Sequence, residues 1–372
     1  MQILEPVKFK NLELKNRVAW TPAVTCLADA DGFMTNELID RHVKRAKADT
    51  GFIQLEACGV NKLKSPNLLR LCGNEYVEGH KKLTDACHAY GAKLSIQLIH
   101  YVKQSPRNNW KRPIEEIPLE EIEQIIQEFV DSAVYAKKAG YDAIELHAAH
   151  GYTLSSFISL LNKRTDEYGK TTKGRCKIVT DIIARCRKEL GDDYCIGARI
   201  SGEEFVMGGN TLVQTTEIAK IFCEAGIDFL SVSAGGKTED GFWYTGYSGE
   251  RCMAPASYPM GLHLYLGKGI RDVCKNYNVP VIIAGKIPTV KYGQEEVLDK
   301  GKADIVGVCR PLIADPEWLS KQIQGKDNEI IKCIFCNVCM DRDREHVPVN
   351  CIVWEKHCEK KGIDPYAPFY KG

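Results

Sequence analysis

Two stretches of the sequence combine residue types at spacings that could do chemistry. "HAAHGY" brings His147, His150 and Tyr152 within six residues. Imidazoles and a phenol are groups that hold, accept or deliver protons. One histidine in such a place is more often a satisfied structural residue; two with a tyrosine favour a working site. The second stretch is "CIFCNVCMDRDREHVPVNC", with Cys333, Cys336 and Cys339 at C-x2-C-x2-C spacing and Cys351 after eleven further residues. Three closely spaced thiolates with a fourth from elsewhere form a run that iron–sulfur clusters use. A zinc knot is the other reading, although structural zinc more often takes two separated C-x2-C pairs. Cys358 is a weaker candidate than Cys351 for the fourth ligand.

The elements that must position these residues are legible as short apolar runs alternating with amphipathic segments. "RVAWTPAV", "GFIQLEA", "KLSIQLI", "YDAIELH", "YCIGARI", "DFLSVSA", "PVIIAGK" and "ADIVGVC" each precede a segment with helical spacing of apolar residues. The runs are continuously apolar, as parallel strands buried on both faces are. "KKAGYDAIEL", "KELGDDYCIG" and "CEAGIDFLSV" place Gly where helices end. Eight strand-then-helix units predict an α/β protein, a (β/α)8 TIM barrel. A doubly wound open sheet is the alternative, but no G-x-G-x-x-G turn follows the first strand. "LEPVKFKNLELKNR" reads as an N-terminal β-hairpin turning at Lys10–Asn11 and capping the bottom of the barrel. The expected division is a barrel over 1–326 and a cysteine segment with its tail over 327–372.

Barrel enzymes carry their chemistry at the C-terminal strand ends. Those ends hold "TPAVT", Glu56 and Ala57, Gln97 and His100, "HAAHGY", Arg199, Ser233 with "AGG", Gly285 with Lys286, and Cys309 with Arg310. The ends of strands 7 and 8 are the usual phosphate site of such barrels, where Gly285 permits close approach and Lys286 or Arg310 adds charge. The loop after strand 6 holds Phe242, Trp243, Tyr244 and Tyr247, which could pack or could cover a flat substrate. Lys103, Arg107, Lys111 and Arg112 could meet phosphates, although a solvated loop face is the simpler reading.

Formal net charge is +1, so no global field favours nucleic acid or an acidic membrane. No apolar run approaches the ~20 residues that span a bilayer, and the N-terminus lacks a long apolar signal core. The expected location is the cytoplasm. Of the 16 cysteines, those outside the C-terminal run are scattered singly, unlike a disulfide framework, and suit a reducing, anaerobic cell.

"DAIELHAAHGYTLSSFISLLNKRTDEYGK", "NRVAWTPAVT", "SIQLIH" and "ADIVGVCRPLIADP" together resemble the Old Yellow Enzyme family of FMN-dependent oxidoreductases, up to about Asp315. The cysteine segment resembles that of the [4Fe-4S] branch, with 2,4-dienoyl-CoA reductase, 2-enoate reductase and trimethylamine dehydrogenase. The resemblance implies FMN at the barrel mouth. Thr25 and Ala57 would lie near the ring, Gln97 and Arg199 would meet its pyrimidine side, and Gly236, Gly285, Lys286, Cys309 and Arg310 would surround its phosphate. It further implies that His147 and His150 bind a substrate carbonyl, that hydride reaches the β-carbon, and that Tyr152 protonates the α-carbon. Cys333, Cys336, Cys339 and Cys351 would then hold a [4Fe-4S] cluster. The reading is an ene-reductase acting on an enoate, enoyl-CoA or enone. The alternatives are an amine dehydrogenase or demethylase, and an electron-transfer subunit with no substrate of its own.

The larger members continue into a half that binds FAD or ADP and NAD(P)H, which this sequence lacks. A separate flavoprotein or ferredoxin is therefore expected as electron donor, or NAD(P)H acting directly. A homo-oligomer is expected by resemblance. "SLLNKRTDEYGK" is a shortened form of the family's motif, and the loop after strand 3 is short and basic. Cys26 stands two residues too late to match the family's flavin-linked cysteine.

Overall fold

In the computed structural model, which describes residues 1–62, 67–101, 113–236 and 247–365, the eight apolar runs close into a parallel barrel. A two-stranded antiparallel hairpin, β1 (Val7–Phe9) and β2 (Leu12–Leu14), comes first. The barrel strands follow as β3 (Val18–Trp20), β4 (Phe52–Gly59), β5 (Lys93–Ile99), β6 (Ala143–Ala148), β7 (Cys195–Ser201), β8 (Phe229–Ser233), β9 (Val281–Ile283) and β10 (Ile305–Val308). Each pairs with its sequence neighbour, and β10 closes on β3. All residues of β4, β6, β7 and β8 are buried, because helices cover the outer face while side chains fill the inner one.

The covering helices are α1 (Asn36–Lys47), α2 (Val77–His88), α3 (Leu119–Lys138), α5 (Thr172–Leu190), α6 (Leu212–Glu224) and α8 (Leu264–Cys274). Thr35 caps α1 by accepting the Leu38 N–H, and Thr171 caps α5 by accepting the Gly174 N–H. Gly140, Gly191 and Gly226 take positive φ just past α3, α5 and α6, as expected for glycines that end helices. Three segments depart from the simple alternation. The "TLSSFI" part of the His/Tyr motif forms a short helix, α4 (Thr153–Ile158). The helix after β9 is one turn, α9 (Val290–Tyr292), running into a π-helical turn (Gly293–Leu298). After β10 the chain makes α10 (Arg310–Ala314), breaks at Asp315–Pro316, and resumes as α11 (Trp318–Ile323).

The hairpin plugs the N-terminal end of the barrel, as expected. Phe9, Leu12 and Leu14 pack among Ala19, Phe52, Ala143, Cys195, Phe229, Ile282 and Ile305, near the starts of the strands. Phe229 takes Phe9 and Phe52 edge-on, with ring centroids 6.0 and 5.8 Å away. Apolar side chains thus fill the N-terminal end of the barrel and form its floor.

Gly197 on β7 makes that floor possible: a Cβ there would lie 2.1 Å from the Phe229 ring. Gly197→Ala should therefore lower stability by about 1–3 kcal/mol through overpacking. An unchanged urea midpoint would show that Phe229 is free to move.

Candidate active site at the barrel mouth

A cleft opens at the C-terminal strand ends. Its floor is a polar layer inside the barrel. Glu145 on β6 is fully buried and accepts hydrogen bonds from Gln54 Nε2 (2.6 Å), Gln97 Nε2 (2.7 Å) and the Ser231 hydroxyl. Burial pushes the Glu145 carboxyl up; the nearby Arg199 charge and these three donors offset only part of that. The register sets Gln97 beside Glu145 on β5 and β6 and, two residues further along β6, His147 beside Arg199 beside Ser231.

Arg199 is buried and lines the cleft. Its Nη2 reaches the Ser233 hydroxyl at 3.4 Å, while Nε and Nη1 find no protein partner. A buried guanidinium with unused donors calls for an acceptor from a ligand.

His147, His150 and Tyr152 converge above this layer. The His147 ring stands 5.1 Å from that of His150 and 4.9 Å from that of Tyr152. His150 Nε2 pairs with the Ser233 hydroxyl at 2.7 Å, and His147 Nδ1 is buried without a protein partner. The chain turns here through two positive-φ residues, His150 (62°) and Gly151 (76°), which brings Tyr152 back over the strand end. Burial lowers both imidazole pKa values well below the ordinary range; Arg199 lowers both further, as does the mutual repulsion felt by His150. Both rings are neutral at pH 7.

A β-bulge separates Glu56 from Ala57: Leu55 pairs with Ile96 and Ala57 with Gln97, leaving Glu56 out of the ladder. Ala57 thereby reaches the cleft wall beside Gln97. Glu56 instead accepts from the backbone N–H and hydroxyl of Thr25, the latter at 2.7 Å. Burial raises its carboxyl to about 7 despite these two hydrogen bonds. Thr25 thus stands behind the wall that Thr21, Pro22, Ala23 and Val24 form.

Gly285, Lys286, Cys309 and Arg310 all line the cleft. The Lys286 ammonium donates to the carbonyls of Pro255 (2.8 Å), Ala256 (3.2 Å) and Tyr258, so it also ties that segment to the β9 end. Arg310 donates to the Ala254 carbonyl and to Asn337 Oδ1, and Asn337 donates in turn to the Met253 carbonyl. Gly236 lies behind, bridging His150 and accepting no place on the cleft wall; its N–H donates to the Ser248 hydroxyl at 2.9 Å.

The cysteine segment completes the mouth. Phe335, Cys339, Met340, Asp343 and Val349 line the same cleft, and Phe335 lies between the Lys286 and Arg310 cations at 4.9 and 4.8 Å. Behind Phe335 a second, small pocket is lined by Cys333, Cys336, Cys339 and Cys351 with Arg310 and Asn337, and Ile313, Ile334, Ile352 and Val353 are among its apolar walls. Cys358 is not on that lining. The Phe335 N–H donates to Cys333 Sγ at 3.4 Å, and the Val353 and Trp354 N–H groups point to the Cys351 sulfur at the start of α13 (Ile352–Lys360). Among the described residues, no three His, Cys, Asp or Glu side chains stand as a set for a single metal ion.

His263, buried at the start of α8 and facing the cleft, was not among the expected residues, because it belongs to no motif. Glu145 was missed too, although a carboxylate inside the apolar run "YDAIELH" was a signal. Phe242, Trp243, Tyr244, Lys103, Arg107, Lys111 and Arg112 lie outside the described residues, as does the side chain of Tyr247.

A barrel with a plugged floor, a buried cation and neutral imidazoles at its mouth defines a barrel oxidoreductase site. The chain matches the NADH:flavin oxidoreductase / NADH oxidase family over residues 2–329 and belongs to it. It is 39% identical to the NADH oxidase of Thermoanaerobacter brockii over 88% of this chain and 52% of that one. It is 29% identical to the cinnamate reductase of Clostridium sporogenes over 94% of this chain and 57% of that one. A 2-naphthoyl-CoA reductase structure superposes with a TM-score of 0.86 at 25% identity, over 99% of this chain and 58% of its own. The chain spans about half the length of these relatives. No described helix is long and apolar enough to cross a membrane.

Five buried imidazoles set a pH dependence. Burial lowers His42 to about 3 and His80 and His263 to about 4, and holds His147 and His150 well below 6.5. Between pH 6.5 and 4 the unfolded chain binds protons at these rings and the folded one does not, so stability present above pH 6.5 is lost on acidification. Glu56 and Glu145 are raised and run the other way. Tm should therefore fall from pH 7 to pH 5, and fall further in Glu56→Gln. A Tm that rises on acidification in Glu56→Gln as well as in the wild type would mean that the imidazoles do not dominate the pH dependence.

Proposed function

We propose that the chain is an FMN- and [4Fe-4S]-dependent ene-reductase, reducing the activated C=C bond of an enoate, enoyl-CoA or enone. The observation that carries this reading is the neutral His147/His150 pair beside Tyr152, directly above a buried Arg199 with unused donors. The residues fit a flavin: Arg199 and Gln97 would hold the pyrimidine side, Ala57 would flank the ring, and Gly285, Cys309 and Arg310 would surround the phosphate. Lys286 would join them at the phosphate, and Thr25 and Gly236 would support that cradle from behind. Bound there, FMN would supply a hydride equivalent to carbon and exchange electrons with the cluster.

This chain's own residues do the rest. A neutral imidazole keeps one N–H, so His147 and His150 can donate to a substrate carbonyl without adding a full charge to a site that already holds Arg199. That donation draws electron density from the β-carbon. The Tyr152 hydroxyl then holds the proton that the α-carbon receives, and its ring is fixed by His147 and Tyr101. Water is kept out from one side by Phe335 and Met340.

The four thiols around one small apolar cavity, with N–H groups aimed at Cys333 and Cys351, fit a cluster held by Cys333, Cys336, Cys339 and Cys351. Residues 327–372 would then form the cluster segment of a barrel spanning 1–326. Electrons would enter from a separate flavoprotein or ferredoxin, or from NAD(P)H at the cleft. Cytoplasmic location and a homo-oligomer complete the reading.

The test is anaerobic. Iron, sulfide and FMN are measured on the purified protein, and the chemically reduced form is mixed with enoates, enoyl-CoA esters and enones. Reoxidation of the flavin by one alkene class supports the reading; bleaching of the oxidised form by methylamines replaces it with amine oxidation. Tyr152→Phe should slow alkene reduction on the order of 100-fold with flavin content unchanged; an unaltered rate removes the proton role. Cys336→Ala should lose its iron while the far-ultraviolet dichroism of the barrel persists, and retention of iron would refute the ligand set.

A further inference from the structure

His263 is 4% exposed, yet its ring forms part of the cleft wall, within electrostatic reach of both Arg310 and Arg199. One side of the ring faces the end of β9. Its hydrogen-bond partner there is the Ala284 carbonyl, and a Cβ on Gly285 would lie 3.0 Å from Nδ1. A carbonyl only accepts, so Nδ1 carries the proton and donates. Burial, with Arg251 nearby, keeps the ring uncharged. Nε2 is left as a bare lone pair, buried and without a protein partner.

A buried acceptor needs a donor, and here the donor must come from whatever fills the cleft. A phosphate offers only acceptors at neutral pH, so it suits Arg310 and not this nitrogen. A ligand that spans from Arg199 to Arg310 must therefore present a hydroxyl or N–H between its two ends.

We propose that His263 Nε2 accepts a hydrogen bond from a hydroxyl of the ribityl chain, making it a positioning residue for the sugar-alcohol part of the flavin. This rests on the flavin reading above. It gives the cleft three zones: a cation for the ring, a neutral acceptor for the polyol and a cation for the phosphate.

The experiment compares three flavins on flavin-free, full-length protein by fluorescence quenching: FMN, riboflavin, which lacks the phosphate, and lumiflavin, which lacks the hydroxyls as well. His263→Ala should weaken FMN and riboflavin about tenfold, the scale of one neutral hydrogen bond, and leave lumiflavin unchanged. His263→Gln, whose amide oxygen can accept, should recover much of the loss. Loss confined to FMN would make the contact one to phosphate, and equal loss for all three would make it one to the ring or the fold; either overturns the proposal, as does no loss. A wild-type protein that binds none of the three overturns the flavin reading itself.

Discussion

The buried carboxylate of Glu145 is the constraint around which the mouth of the barrel is built. An ion inside a barrel survives only if hydrogen bonds and opposite charge replace its water. Gln54, Gln97 and Ser231 supply the bonds from three other strands, and Arg199 supplies the charge. The same side chains therefore cannot leave their rotamers without stranding a buried ion. That rigidity is passed upward, because Arg199 and His147 sit at paired positions of adjacent strands and Ser233 is shared by Arg199 and His150. The imidazole pair thus inherits its position from a layer that never meets the substrate.

The cysteine segment is held to the same frame by different means. Asn337, between two of the cysteines, takes a positive φ and exchanges hydrogen bonds with Arg310 and the Met253 carbonyl. The Val349 N–H donates to the Thr25 carbonyl, and Arg41 reaches the carbonyl of Val349 and the side chain of Asn350. Thr25 is in turn fixed by Glu56, the residue that the β4 bulge expels from the ladder. One irregularity in one strand therefore serves both sides: it sets Ala57 on the cleft wall and anchors the loop on which the cysteine segment rests.

Much of this was legible in the sequence because it rests on periodicity and spacing. Every barrel strand and the hairpin with its turn follow from apolar runs and turn residues, and the helix-ending glycines stand where the three Gly-containing boundaries put them. His147, His150, Tyr152, Gln97 and Arg199 converge because strand ends converge in any closed barrel. What was not legible depends on local register or on long-range contact. The bulge at Glu56 leaves no mark in a run of apolar residues, so Thr25 could not be seen to turn away from the cleft. Lys286 looked like a free cation at a phosphate site, but its partners, the carbonyls of 255–258, are backbone atoms that carry no sequence signal. His263 belongs to no motif and is recruited by packing against the end of β9 alone.

The charge pattern of the cleft also separates recognition from chemistry. Arg199 and Arg310 both line the cleft, and the Phe335 ring lies against the Lys286 and Arg310 cations. The three imidazoles on the cleft wall, His147, His150 and His263, are held neutral by burial. Two buried arginines on one wall would favour an anionic ligand there. The phenol of Tyr152 is then the one acidic hydroxyl among the aromatic side chains described on the wall. On the reading proposed above, proton delivery would be confined to one face of the cleft, and the imidazoles would act through their dipoles. This division of labour follows from burial: the depth that strips the histidines of charge is the depth at which a hydrogen bond to a carbonyl is strongest.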